Sequence, residues 1–336
     1  MNFPLAVIGQ GAVSPAGIGV DALLAGTTSP VPTSAVGRAA PAWPVLRVNE
    51  KAAAFQRWQG EPRLRRASPL TLFLAEAAAQ ALAGVPEADR AGTGLVVALS
   101  AGALIYTRRF FDGILAQGRK MASPALFPET VFNSPGSHVA AALKLNGAAA
   151  ALVGDETAWI AAIQTAAVWL KQERVRQALV LGAEEFDPIV LDAYRQARWL
   201  GRTRPFMPGE GAAALLLRAA RPEDRTVIAE ARDGFIYRTP REAAAAAKKL
   251  FGALDPKLPV VRSAAHNWLA CLEETMIAGR PVARLGAAPY PGEAFTASAG
   301  WNTIRALRAL SPEQPALALP VWGLNHQLGA LTLEIR

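Results

Sequence analysis

Residues 147–163 read GAAAALVGDETAWIAAI. The run 148–153 is continuous and apolar, with no Pro or charge, as expected of a strand buried on both faces. A sharp turn follows, and helical spacing predicts a helix over 157–175. A strand entering a helix through such an elbow is a shape that presents a nucleophile. Here the tip carries Asp155 and Glu156, and neither Cys nor Ser. A carboxylate at a helix N-terminus is electrostatically comfortable, so the turn can form without the chemistry its shape suggests.

Working outward, the chain alternates strand-like and helix-like segments. PLAVIGQGAV reads as a buried strand and TGLVVALS (93–100) as another. SPLTLFLAEAAAQALAG (68–84) reads as a helix with Ser68 as N-cap, Pro69 at the first helical position and Gly84 past the end. QALVLGA (177–183) and AAALLLRA are further strands, followed by a seam near 219–226. A strand–helix set (227–276), KLPVVRS (257–263) and a last strand GALTLEI (329–335) complete the chain. This order predicts an α/β fold whose sheet is covered on both faces.

The 336 residues are 51% hydrophobic and 18% charged, which suits a large buried core in two domains or one large α/β unit. No apolar run approaches the roughly 18 residues of a membrane span. Met1-Asn2-Phe3-Pro4 lacks the charged start of a signal peptide, and one cysteine excludes an internal disulfide framework, so a cytoplasmic protein is expected. Cys271, in HNWLACLEETM, is expected to be a buried structural thiol. His138, His266 and His326 lie far apart with no Cys cluster, so neither a metal site nor a cofactor is expected. The net charge of +8 permits an acidic partner or, equally, scattered solvated arginines. Nothing resembles a nucleic-acid module.

Two short motifs are weak. GQGAVS (9–14) opens like a dinucleotide fingerprint, but Ser14 and Pro15 stand where the third Gly and its helix belong. ALSAG (98–102) approximates a nucleophile elbow at Ser100, for which His266 or His326 would have to serve.

Five segments carry more: AVIGQGAVSPAGIGVDALLAG, FNSPGSHVAAALKLNGAAAALVGDETAWIAAIQTA, ALVLGAEEF, RPFMPGEGAAALLL and GLNHQLGALTLE. Their order and spacing resemble the β-ketoacyl synthases along nearly the full chain, above all the compact, diverged synthase-like subunits of aryl-polyene and related polyketide clusters. The resemblance implies a thiolase-like αβαβα layered fold, with an N-terminal half (1–218) and a trimmed C-terminal half (219–336). It also implies which positions should carry chemistry. The nucleophilic Cys falls nine residues after Gly147, on Glu156. The first catalytic His falls on Ser263, with Glu274 matching the Glu eleven positions on and His266 as the competitor for register. The second His falls on Glu293, and the Lys five residues before it on Ala288. A carboxylate is a poor acyl acceptor from a thioester, because an anhydride would result. Condensation also needs donors for the thioester oxygen and the enolate, where acidic groups would repel the malonyl carboxylate.

The expected function is therefore a catalytically silent subunit of the chain-length-factor kind, forming a heterodimer with a Cys-bearing ketosynthase in fatty-acid-like or polyketide biosynthesis. The family pairs the strand before the elbow across a two-fold axis, here AAAALV. Thr157, Ala158 and Trp159 are candidate walls of the shared acyl pocket, with core packing the alternative for Trp159. Arg108, Arg109, Arg119 and Lys120 are candidates for steering an acidic acyl carrier protein, or a solvated helix face. The alternatives are a malonyl-carrier decarboxylase supplying starter units, a serine-dependent acyltransferase or hydrolase using Ser100, and a purely structural or binding module.

Overall fold

A computed structural model describes residues 3–35, 42–65, 67–200, 207–265, 267–285 and 291–336. Eight strands form the path of one sheet: β1 (Leu5–Ser14), β2 (Thr93–Leu99), β3 (Ala149–Val153), β4 (Gln177–Glu184), β5 (Gly211–Ala219), β6 (Thr226–Ile236), β7 (Ala316–Gly323) and β8 (Gln327–Ile335). Their order is β7-β8-β6-β1-β5-β4-β2-β3, with the two-residue strand Gly17–Ile18 paired on β1. β2 runs parallel to both β3 and β4, and the other neighbours on the path are antiparallel. β1 and β6 share only the pairs Leu5↔Ile228 and Ala6↔Val227. The sheet therefore divides there into two leaves.

Side-chain alternation along the strands builds the layers. On β2, Leu95, Val97 and Leu99 join an outer core with Leu70, Phe73 and Leu74 of α1 (Pro69–Ala81), while α2 is Leu104–Gln117 and α3 is Ser134–Leu143. Val96 and Ala98 point the other way, to a central core with Trp159 and Ile163 of α4 (Ala158–Lys171). β7 and β8 close that core from the far side with Leu317, Leu319, Leu331 and Leu333. Their opposite face, including Ala318 and Leu328, packs against α5 (Pro240–Gly252) and against Leu269 of α6 (Asn267–Ile277). The last helix, α7 (Thr296–Ala309), lies beside α4 in the central layer. The result is the expected αβαβα layering, with a second leaf of three strands on the sheet's path.

The elements form for local reasons that the sequence displays. The Ser68 side chain caps α1, accepting from the Thr71 N–H at 3.4 Å, and Pro69 occupies the first turn. Gly9 and Gly11 of the GQG motif serve packing: a Cβ at either would sit 2.0 Å from a carbonyl oxygen of α1, Ala81 or Ala77. Helix α4 ends at Lys171, earlier than predicted, and Glu173 takes φ 54 in the turn to β4. KLPVVRS contributes only isolated bridges, from Val260 to Val282 and Ala318. Cys271 is exposed, contrary to expectation. Helical periodicity turns Leu269, Glu273 and Ile277 inward and leaves Cys271 on the opposite face.

Candidate functional site

The elbow between β3 and α4 is built as the sequence suggests, and its two carboxylates face inward. Asp155 Oδ1 accepts from the Thr157 N–H at 2.9 Å, and Oδ2 accepts from the Asn325 N–H at 3.2 Å. Glu156 Oε2 accepts from the Leu324 N–H at 2.9 Å. The turn joining β7 to β8 is thus clamped onto the elbow. Gly323 begins it, and a Cβ there would lie 2.0 Å from Asp155 Oδ2.

Three positions far apart in sequence converge beside Glu156. Glu156, Ser263 and Glu293 line one void of about 10 Å³, walled also by Asn302 and Trp322. That is room for about one water molecule. Ser263 Oγ donates to the Pro320 carbonyl at 2.6 Å. Glu293 Oε1 accepts from the Phe295 N–H at 2.8 Å, and Phe295 is held at φ 46 just before α7. Glu156 is 4% exposed, and its pKa is pushed well up by burial first, then by the charges of Glu293 and Asp155. No imidazole, thiol or ammonium side chain lines this void among the described residues. Ala288 and His266 lie outside the described residues.

The Glu supporting the Ser263 loop is Glu273, which corrects the match to Glu274. Glu273 accepts from the Ser263 and Ala264 N–H groups at 3.1 and 3.2 Å and from the Trp322 indole at 2.8 Å. Glu274 faces outward and pairs with Arg262 at 2.8 Å. One residue along a helix turns a side chain by about 100°, enough to exchange inside for outside.

Thr157, Ala158 and Trp159 are all interior. Trp159 is 0% exposed, and its indole N–H donates to Thr303 Oγ1 at 3.0 Å. It fills the chain's own central layer, the core-packing alternative. The basic group divides. Arg108 Nε donates to the buried Asp187 at 2.8 Å, whereas Arg109, Arg119 and Lys120 are exposed. Ser100 lends its N–H to Glu184, and no histidine hydrogen-bonds it among the described residues.

Sequence reasoning missed two features. Glu185 bridges two helix starts, accepting from the Ile105 N–H at 2.7 Å and the Leu70 N–H at 3.0 Å. Burial raises its pKa to about 7 and that of Glu184 to about 8. The other feature is an apolar surface: Phe111, Leu115, Met121, Phe127 and Phe132 are exposed, as is Val153 on the edge strand β3. Their spacing follows no single period, so only their exposure in the fold reveals them. Among the described residues no helix is long and apolar enough to cross a membrane, and no His/Cys/Asp/Glu group is placed to hold a metal ion.

A layered αβαβα fold with an elbow at the end of a parallel strand defines the thiolase-like class. The chain belongs to the β-ketoacyl synthase family: residues 3–222 match the family model "Beta-ketoacyl synthase, N-terminal domain". No curated protein matches significantly. Solved structures similar to it include the ishigamide ketosynthase/chain length factor, at 19% identity over 99% of each chain with a TM-score of 0.82. A type II PKS acyl-carrier protein in complex with its ketosynthase bound to the hexaketide matches at 13% identity over 100% of each chain, with a TM-score of 0.79. A ketosynthase in complex with its chain length factor from Xenorhabdus doucetiae matches at 13% identity over 99% of this chain and 98% of that one, with a TM-score of 0.75.

Proposed function

We propose that this chain is a non-catalytic synthase-like subunit, of the chain-length-factor type, that pairs with a Cys-bearing ketosynthase in the cytoplasm. The observation that carries this is the occupant of the elbow: Glu156 stands where the nucleophile belongs, and its own carboxyl takes the Leu324 N–H. Backbone N–H groups aimed at a reacting centre stabilise a developing oxyanion only when vacant to receive it. Ser263 and Glu293 offer no imidazole, and the one-water void admits no acyl chain.

The pairing surface we assign is the edge strand β3. β3 hydrogen-bonds to β2 on one side only, and Val153 is 56% exposed at its end. An unpaired apolar edge invites another strand, and pairing there would continue the sheet into a partner. Two copies of this chain would bring no cysteine to either elbow, which favours a heterodimer. We assign the two halves to residues 1–218 and 219–336, the exposed Arg109, Arg119 and Lys120 to approach of an acidic acyl carrier protein, and the pathway to a polyketide of the aryl-polyene kind.

The test is co-expression with a Cys-bearing synthase from the same gene neighbourhood. A stable complex that condenses malonyl carrier, with no acyl uptake by this chain alone, is expected. Condensation or malonyl-carrier decarboxylation by the isolated chain would overturn the silent-subunit assignment. A homodimer that ignores the synthase would overturn the pairing.

A further inference from the structure

The sheet's path ends at β3, and on one face this last strand is underfilled. In the parallel ladder Ala149 and Ala151 stand beside Leu95 and Val97 of β2, so all four side chains share the outer face, the one covered by α1 and α3. Two methyl groups take the places at the edge that a leucine and a valine take one strand inward. They leave a hollow of about 130 Å³, floored by Leu95 and Val97 and closed on the helix side by the first turn of α3. Gly136 brings that turn close, since a Cβ there would lie 3.1 Å from Val97 Cγ2. Asn133, Ser137 and Ala149 are exposed, so the hollow opens to solvent. No charged side chain belongs to its lining.

Protein interiors hold few voids larger than a water molecule, so an apolar hollow beside an unpaired edge is a place for a group this chain does not supply. A strand pairing on β3 would lie roughly 5 Å farther out. Its side chains opposite Ala149 and Ala151 would have their Cβ atoms about 4.5–5.5 Å from these alanines, on the same face. One of them therefore reaches the hollow. An engineered apolar cavity of about 150 Å³ takes up benzene, so this one suits a single side chain of leucine, isoleucine or methionine size. A second copy of this chain, paired through the same strand, would offer on that face only Ala149, Ala151 or Val153, nothing larger than valine.

We propose that the hollow receives one large aliphatic side chain from the Cys-bearing synthase's strand paired on β3, and that this knob sets the register of the pair. The inference rests on the pairing assigned above and adds to it the chemistry of the partner's contact residue. A run of alanines presents the same methyl group at every step, whereas one hole admits one knob in one register.

The test is the affinity of the purified full-length chain for a Cys-bearing synthase from the same gene neighbourhood, measured by biolayer interferometry. Ala149→Val, Ala149→Leu and Ala151→Leu fill the hollow from this side. They should leave the isolated chain folded by circular dichroism, with a denaturant midpoint no lower than the parent's. Binding should nevertheless weaken in order of size, by roughly tenfold or more for leucine. A merely structural hollow would not move stability and affinity in opposite directions. If a strand variant does not fold, Ser137→Leu at the mouth decides the outcome. Unchanged affinity in the leucine variants, beside loss of binding in Val153→Asp, would overturn the knob and leave the pairing standing. No binding by the parent chain, or full binding by Val153→Asp, would overturn the pairing and this inference with it. A dimer of the isolated chain that Ala149→Leu weakens would make the occupant a second copy and overturn the assignment to the synthase.

Discussion

The Leu324 N–H donates to the Glu156 carboxyl at 2.9 Å, across 168 residues of sequence. The next residue, Asn325, does the same for Asp155 at 3.2 Å. The two acids at the tip are therefore structural ties between the elbow and the β7–β8 turn. Both carboxyl groups hold the elbow against that turn.

Restoring sulfur should not restore chemistry. Glu156→Cys is expected to show neither acyl uptake from a thioester nor condensation with malonyl carrier, because Ser263 and Glu293 supply no imidazole beside it. Radiolabelled acyl-carrier incubation with the isolated chain measures this. Glu156→Ala should also lower stability by about 1–3 kcal/mol near neutral pH, through the orphaned Leu324 N–H.

Stability should fall as pH rises. Glu184 and Glu185 have folded pKa values of about 8 and about 7, both above the ordinary 4.5. The folded state thus binds more protons than the unfolded one across that window, so its stability is full below 4.5 and is lost as pH climbs through 7 to 8. Denaturant midpoints should decline accordingly, reflecting a loss of unfolding free energy on the order of a few kcal/mol. Glu184→Gln should flatten the slope; an unchanged slope would remove Glu184 as its source.

Gly323 and Asp155 should behave as a coupled pair. Gly323→Ala places a methyl group 2.0 Å from Asp155 Oδ2 and should be severely destabilising. Asp155→Ala in that background should recover part of the loss, with a coupling of roughly 0.5–3 kcal/mol in a double-mutant cycle. Strict additivity would show that the clash lies elsewhere.

At the exposed edge, Val153→Asp should prevent co-purification with a Cys-bearing synthase while leaving the chain folded by circular dichroism. The side chain is 56% exposed in the isolated chain, so the new charge harms only an assembly that buries it.

The basic residues should separate into two kinds. Arg108→Ala should lower thermal stability, because the buried Asp187 loses its partner. Charge reversal at Arg109, Arg119 and Lys120 should instead spare stability and slow carrier-dependent turnover of the complex, most strongly at low salt. Equal turnover at low ionic strength would remove these residues from carrier steering.

The strands and helices were legible because burial repeats locally. The continuous apolar runs of β2, β4 and β5, the Ser68 cap and the apolar run ending at the elbow are all consequences of which neighbours a side chain has within a few residues. That Glu156, Ser263 and Glu293 belong together came from the resemblance to the β-ketoacyl synthases, since no local spacing connects them. Which way those side chains turn was legible in neither. Glu273 replaces Glu274 because helix α6 presents only one face to Trp322 and the Ser263 loop. Trp159 is core because α7 delivers Thr303 to its indole, and Arg108 is pinned because Asp187 lies 79 residues away in sequence but 2.8 Å away in space. Periodicity reports the environment of an element's face, whereas the partner of a buried polar group depends on loops and helices brought together only when the two leaves close over the central layer.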